Sequence, residues 1–226
     1  MQPLRSLLFD GIFYAGTCIT LFLLLPFLLL PRSFIQKAVC LWGRGFLLLS
    51  KYVLGLDYHV TGLPKAPSLI ASKHQSAWET FAFVGLVQKP VFVLKHSLFY
   101  IPLFGLYLKK LGMIGVRRGK KQGAHSVIQQ ANQATMDGSS VIIFPEGTRT
   151  RPGTTPPLKR GAWNLYKGLN LPTYGAFLNS GLFWPRKSVF KKPGTIHIHF
   201  QKMSATPKPE TFLSQLHKAL NMPKAL

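Results

Sequence analysis

Residues 11–31 (GIFYAGTCITLFLLLPFLLLP) carry no charge over 21 positions, and this run limits the fold more than any other segment. At about 1.5 Å per residue, a helix of that length reaches roughly 30 Å, enough to cross the hydrocarbon of a bilayer. Pro26 interrupts such a helix, and Pro31 ends the run. The length of the run, with no small-residue cleavage site after it, argues against a removable signal peptide. Residues 34–56 continue largely apolar, with Lys37, Arg44 and Lys51 seven apart and therefore on one stripe of a helix. That pattern suits a helix lying in the interface with its cations toward headgroups, although a helix packed on a protein core would show it too. The expectation is a two-helix membrane anchor over residues 1–55, the first helix embedded and the second interfacial. A domain over residues 56–226 follows, and its basic bulk places it on the cytoplasmic side.

Charge narrows the partners. Lys and Arg number 28 against six Asp and Glu, a formal net charge of +22 spread along the chain. Such a field attracts polyanions: nucleic acid, anionic membrane or acidic carrier proteins. With 47% hydrophobic residues and no recognisable reading element, nucleic acid is disfavoured and a membrane favoured. Cys18 and Cys40 are the two cysteines, which excludes a disulfide framework and a Cys-rich metal site.

From about residue 56, short apolar runs alternate with helical patterns. Strands are predicted at 57–61, 68–72, 91–94, 113–116, 141–144, 172–178 and 195–201. Helices are predicted at 77–88, 121–137, 160–169 and 209–221, with one amphipathic stretch at 97–110. The alternation gives an α/β domain: a mixed, largely parallel sheet flanked by helices.

Chemistry concentrates at predicted strand ends. His74 and Glu79 lie five residues apart in His74-Gln75-Ser76-Ala77-Trp78-Glu79. Within one helix they would point about 140° apart, so they meet only if His74 sits in the turn and Glu79 in the first helical turn. A carboxylate on one ring nitrogen fixes the tautomer and frees the other nitrogen as a general base. A second reading stays open, because Ser76 and Glu79 also form a Ser-x-x-Glu capping box. Glu146 follows another apolar strand in Phe144-Pro145-Glu146-Gly147-Thr148-Arg149, where open α/β sheets place ligands. Gly147 permits close backbone approach, and Arg149 offers a bidentate fork for phosphate. Arg117-Arg118 and Lys159-Arg160-Gly161 repeat the basic theme. His197 and His199 share one strand face and read as partly buried strand residues rather than metal ligands.

These segments resemble the glycerophospholipid acyltransferases, specifically the bacterial 1-acyl-glycerol-3-phosphate acyltransferases. That family carries His-x-x-x-x-Asp, an Arg-bearing Phe-Ile-Asp-Arg motif, Phe-Pro-Glu-Gly-Thr-Arg and a later Pro-containing apolar strand. Here the matches are His74 to Glu79, Gly115-Val116-Arg117-Arg118, Phe144 to Arg149, and Leu171-Pro172 running to Asn179-Ser180-Gly181. They keep the family's order across roughly residues 57–200. Glu79 stands where the family has Asp, about one 1.5 Å bond longer, and Arg117 replaces the acid before Arg118.

The resemblance implies that His74 deprotonates the free hydroxyl of a lysophosphatidate while Glu79 holds His74. Arg118, Gly147, Thr148 and Arg149 would then form the phosphate site, with Glu146 orienting its loop and Arg117, Lys159 and Arg160 assisting. It implies acyl-CoA or acidic acyl-carrier protein as co-substrate, no other cofactor, no metal, and a bacterial inner membrane. Two further readings remain at this level. One is an acyltransferase for glycerol-3-phosphate, another lysophospholipid or a lyso-aminolipid; the other is a non-catalytic anionic-lipid-binding protein.

Overall fold

The computed structural model describes residues 2–65, 67–117 and 124–221. The chain opens with α1 (Gln2–Leu23), a 3-10 turn (Pro26–Leu29) and α2 (Arg32–Leu49), which runs on into a π turn at Ser50–Leu54. Then come β1 (Leu56–Thr61), β2 (Leu69–Ser72), α3 (Trp78–Leu86), β3 (Pro90–Lys95), α4 (Phe104–Lys110), β4 (Ile114–Val116) and α5 (Ala124–Met136). β5 (Ser140–Ile143), α6 (Gly161–Leu169), β6 (Thr173–Leu178), β7 (Gly194–Lys202) and α7 (Pro209–Leu220) complete the described chain.

The strands form one sheet in the order β1-β7-β6-β2-β5-β3-β4. Every pairing is parallel except β6 with β7, so the sheet is mixed and largely parallel, as the alternation predicted. Five strands (β4, β3, β5, β2 and β6) therefore end on the same edge. β2 and β5 are buried at every position because both faces are covered. Ile70 and Ile142 point into a core shared with α1, α2 and α3, while Leu69, Ala71, Val141 and Ile143 point into one shared with α5, α6 and α7. This is the two-sided alternation of a pleated strand.

The N-terminal helices depart from the expected anchor in an instructive way. Among the described residues α1 alone is long and apolar enough to cross a membrane. It begins well before the uncharged run and takes in Asp10, whose carboxylate accepts from Lys191 Nζ at 2.7 and 2.8 Å. Phe9 and Phe13, one turn apart, are buried in the domain's core, whereas Leu4, Leu8, Ile12, Ile19 and Phe22 are exposed. α2, expected in the interface, has two working faces. Ile35, Gly43, Phe46 and Leu47 pack inward, while Phe34, Leu41 and Leu48 are exposed in the same rows as Lys37, Arg44 and Lys51. Core packing occupies one side of the helix, and a stripe of exposed apolar and cationic residues lies on the other.

The crossing of α2 with α3 is set by two glycines. A Cβ on Gly43 would lie 2.5 Å from the Gly85 nitrogen, and one on Gly85 2.6 Å from the Gly43 carbonyl carbon. The backbones touch there. The region read as one amphipathic stretch, residues 97–110, divides into a 3-10 turn (His96–Tyr100) and α4. Pro102, which has no amide proton and restricts its predecessor, falls between them, and Leu103 adopts φ 59°.

Candidate active site

Each of the five co-directional strands delivers a functional segment at its C-terminal end. β2 leads to Lys73 and His74, β5 to Phe144–Arg149, β6 to Asn179 and Ser180, β3 to His96, and β4 to Arg117. Crevices at the carboxyl ends of parallel strands are where α/β sheets hold ligands.

His74 lies in the turn after β2, and Glu79 in the first turn of α3. His74 Nδ1 is 2.9 Å from Glu79 Oε1. The same oxygen accepts the backbone amides of Gln75 and Ser76, both at 2.8 Å. Glu79 Oε2 accepts the Ser180 hydroxyl at 2.7 Å. The carboxylate is fully buried. Charge-assisted bonds of this kind contribute about 1.5–3 kcal/mol each, and together they offset the desolvation of the group. Capping and holding His74 are therefore not alternatives, since one oxygen does both. The cap itself is displaced by one residue: Ala77 is the N-cap, while Ser76 Oγ accepts the Trp78 amide at 3.1 Å.

Because Glu79 offers only lone pairs, Nδ1 carries the ring proton and Nε2 is left as the acceptor. Phe144 stacks on the imidazole, with ring centroids 4.0 Å apart and planes 19° apart, and fixes the second axis of the ring. The side chain of His74 keeps 18% of its surface open. The imidazole is thus held by a carboxylate and a phenyl ring and keeps part of its surface open.

Glu146 grips the other side of the same residue. Its Oε2 accepts the His74 amide at 3.2 Å and the Thr150 hydroxyl at 2.9 Å. Thr150 returns its own amide to the His74 carbonyl at 2.8 Å. Burial pushes the Glu146 carboxyl up, opposed by the neighbouring Lys73 ammonium and by the Thr150 and His74 bonds. Burial pushes Lys73 down, opposed by Glu146. The Glu146 carboxylate thus faces the His74 main chain, the Thr150 hydroxyl and Lys73.

The other expected residues are placed as follows. Gly147 adopts φ +69°, and a Cβ there would meet the Lys159 side chain at 2.5 Å, so Lys159 lies directly over this glycine. The Lys159 amide closes the loop on the Pro145 carbonyl at 2.9 Å. Thr148, Lys159 and Arg160 are exposed, and Arg149 is half-buried with its carbonyl accepting from Arg186 at 2.9 Å. Arg117 is exposed and bonds the His96 ring at 3.2 Å. Arg118 lies outside the described residues. Ser180, Lys73, Thr150 and Phe144 join the site unannounced by any spacing rule, although Phe144 and Ser180 stood in segments already matched, Phe144 to Arg149 and Asn179-Ser180-Gly181.

His197 and His199 do share a face. His197 packs against His59 on β1 at 5.9 Å, and His199 Nδ1 is 2.7 Å from the Thr61 hydroxyl. Among the described residues no group of three or more His, Cys, Asp or Glu could hold a metal ion.

Comparison with known proteins agrees with this geometry. The Acyltransferase family model matches residues 56–175, spanning the His74, Arg117 and Glu146 segments. The chain is 35% identical over 209 residues to the 1-acyl-sn-glycerol-3-phosphate acyltransferase of Pseudomonas aeruginosa, covering 88% of this chain and 79% of that one. A protein of the same name from Borreliella burgdorferi is 29% identical over 174 residues, covering 74% and 67%. The fold matches the crystal structure of the 1-acyl-sn-glycerophosphate acyltransferase of Thermotoga maritima with a TM-score of 0.79 at 19% identity, over 97% of this chain and 95% of that one.

Proposed function

The chain belongs to the Acyltransferase family, and from that premise we propose that it moves an acyl group from a thioester to the free hydroxyl of a lysophosphatidate, forming phosphatidate. The observation that carries this reading is the His74 Nδ1 contact to a buried Glu79 that also accepts two backbone amides and the Ser180 hydroxyl. Nε2 accepts the proton of the acceptor hydroxyl as its oxygen attacks the thioester carbonyl. The tetrahedral intermediate collapses with cleavage of the C–S bond, and the imidazolium returns its proton to the departing thiolate. Glu79 stabilises the transient imidazolium and does not itself change protonation. The nucleophile is the acceptor's own hydroxyl, so the scheme requires no serine or cysteine, and no cofactor beyond acyl-CoA or acyl-carrier protein.

The acceptor phosphate is assigned to Arg117 and the Gly147-Thr148-Arg149 turn at the same sheet edge, with Lys159 and Arg160 beside that turn, and to Arg118, which lies outside the described residues. Gly147 lets backbone approach an anion closely, and Arg149 supplies a planar fork for two of its oxygens. The exposed apolar faces of α1 and α2, with Lys37, Arg44 and Lys51, support membrane association and delivery of a lipid acceptor from that surface. We assign the catalytic domain to the cytoplasmic face of a bacterial inner membrane. In sealed inverted vesicles it should then be digested by added protease, and resistance would overturn the orientation.

The activity is tested with purified protein in detergent, labelled acyl-CoA or acyl-carrier protein, and a panel of lysolipids. Transfer to lysophosphatidate above other acceptors is expected. No transfer to any acceptor would sink the reading.

A further inference from the structure

Lys73 immediately precedes the base, yet its side chain does not face the opening. It is 4% exposed and turns inward. Its ammonium lies 3.7 Å from Glu146 Oε1 and donates to the Thr154 carbonyl at 3.2 Å and to the Asn221 side-chain oxygen. Two segments far from Lys73 in sequence converge on its nitrogen: the loop after β5 at two points, and the residue that caps the end of α7. Asn221 is itself fixed, its amide nitrogen donating to the His217 carbonyl at 2.8 Å.

The two oxygens of Glu146 divide their work. Oε1 faces Lys73, while Oε2 takes the His74 amide and the Thr150 hydroxyl. A buried ion pair contributes little to net stability, but breaking it by removing one partner leaves an uncompensated charge. The reach of a lysine matters as well, since its four-carbon stem spans from the turn after β2 to the end of the last helix. A residue placed this way sets geometry rather than touching substrate.

We propose that Lys73 is a positioning residue: its buried ammonium clamps the Glu146 loop and the end of α7 together, and so holds the main chain of His74 in register with the phosphate-binding turn. The proposal rests on the acyltransferase reading above. Among the described residues, the charged groups that face Glu146 are Lys73 and His74, and the charged group that faces Lys73 is Glu146. Without Lys73, burial keeps Glu146 protonated to a higher pH, and the neutral acid no longer offers Oε2 as a strong acceptor to the His74 amide.

The test compares the full-length wild type with Lys73→Gln, Glu146→Gln and the double variant, in detergent, following kcat against pH and melting temperature at each pH. Lys73→Gln should lower kcat by about tenfold near neutrality, with KM for the acyl donor little changed and the acid limb displaced to higher pH. In the Glu146→Gln background, adding Lys73→Gln should leave the acid limb where it was. A folded Lys73→Gln enzyme with wild-type kcat and acid limb would overturn the proposal. Should Lys73→Gln fail to fold, the second comparison decides: an acid limb displaced on adding it to Glu146→Gln would equally overturn the proposal, because Lys73 would then act other than through Glu146. An inactive wild type would refute the acyltransferase reading instead, and the melting temperatures would still report on the clamp.

Discussion

Two glutamates hold the same histidine by opposite means. Glu79 holds the ring, sits fully buried, and is satisfied by two amides, a hydroxyl and the imidazole itself. Glu146 holds the main chain, is nearly as buried, and relies on a lysine for one of its oxygens. Fixed dipoles stabilise a carboxylate without a permanent counter-charge, so in the proposed mechanism Glu79 can respond fully to an imidazolium formed during reaction. A resident ammonium does the reverse, binding Glu146 into a static pair. In that mechanism one acid would serve the changing charge and the other the unchanging scaffold.

The largest effect that would break this contrast is on His74. His74→Ala should lower kcat by about a hundred- to ten-thousandfold, the usual worth of a general base, with melting temperature nearly unchanged. Glu79→Asp comes next. Its carboxylate is already fitted to four donors, and a side chain one carbon shorter cannot keep the Ser180 hydroxyl and the His74 ring together. We expect kcat to fall about ten- to hundredfold. Activity at the wild-type level would mean that the turn readjusts freely, and the contrast with Glu146 would lose its basis.

Ser180→Ala removes one donor from a buried carboxylate and should cost about 1.5–3 kcal/mol of stability, measured by denaturant unfolding. No loss would place that oxygen in contact with water instead. Gly147→Ala should be smaller. At φ +69° an alanine is strained by about 1–2 kcal/mol and displaces the Lys159 side chain. A rise in KM for the phosphorylated acceptor exceeding any change in kcat would sharpen the assignment of this turn.

The smallest effect is on pH dependence. Burial raises the Glu146 carboxyl, so the folded chain takes up that proton at a higher pH than the unfolded chain does. Its share of stability therefore grows as pH falls through the raised value, and is lost as pH rises through it. The gap in melting temperature between wild type and Glu146→Gln should move in favour of wild type on acidification, even as kcat declines. A gap that moves the other way would show the carboxylate to be stabilised, not strained, by its burial.

The parts of this site that could be read from sequence are those whose partners are close along the chain. His74 and Glu79 are five residues apart, and turn geometry alone brought them together. Glu146-Gly147-Thr148-Arg149 could be read from its position after a continuous apolar strand. The Ser180 bond to Glu79 spans 101 residues and the Lys73 bond to Asn221 spans 148. Nothing local distinguishes such a serine or lysine from a solvated one, because strand order decides the pairing. The anchor was half-legible for a related reason. Amphipathic spacing reveals that α2 has two faces, but not that the apolar one is occupied by α3.

That occupation has a mechanical consequence. At the Gly43–Gly85 crossing the two backbones are in direct contact, so α2 cannot rise or sink against α3 by even one methyl group. α3 carries Glu79 in its first turn, and α2 carries the cationic stripe on its outer side. On the proposed membrane association, whatever depth a lipid surface imposes on that stripe would set the altitude of the His74–Glu79 pair relative to it. The crossing would then work as a gauge block, fixing how far an acceptor's headgroup must lift out of the leaflet to reach His74.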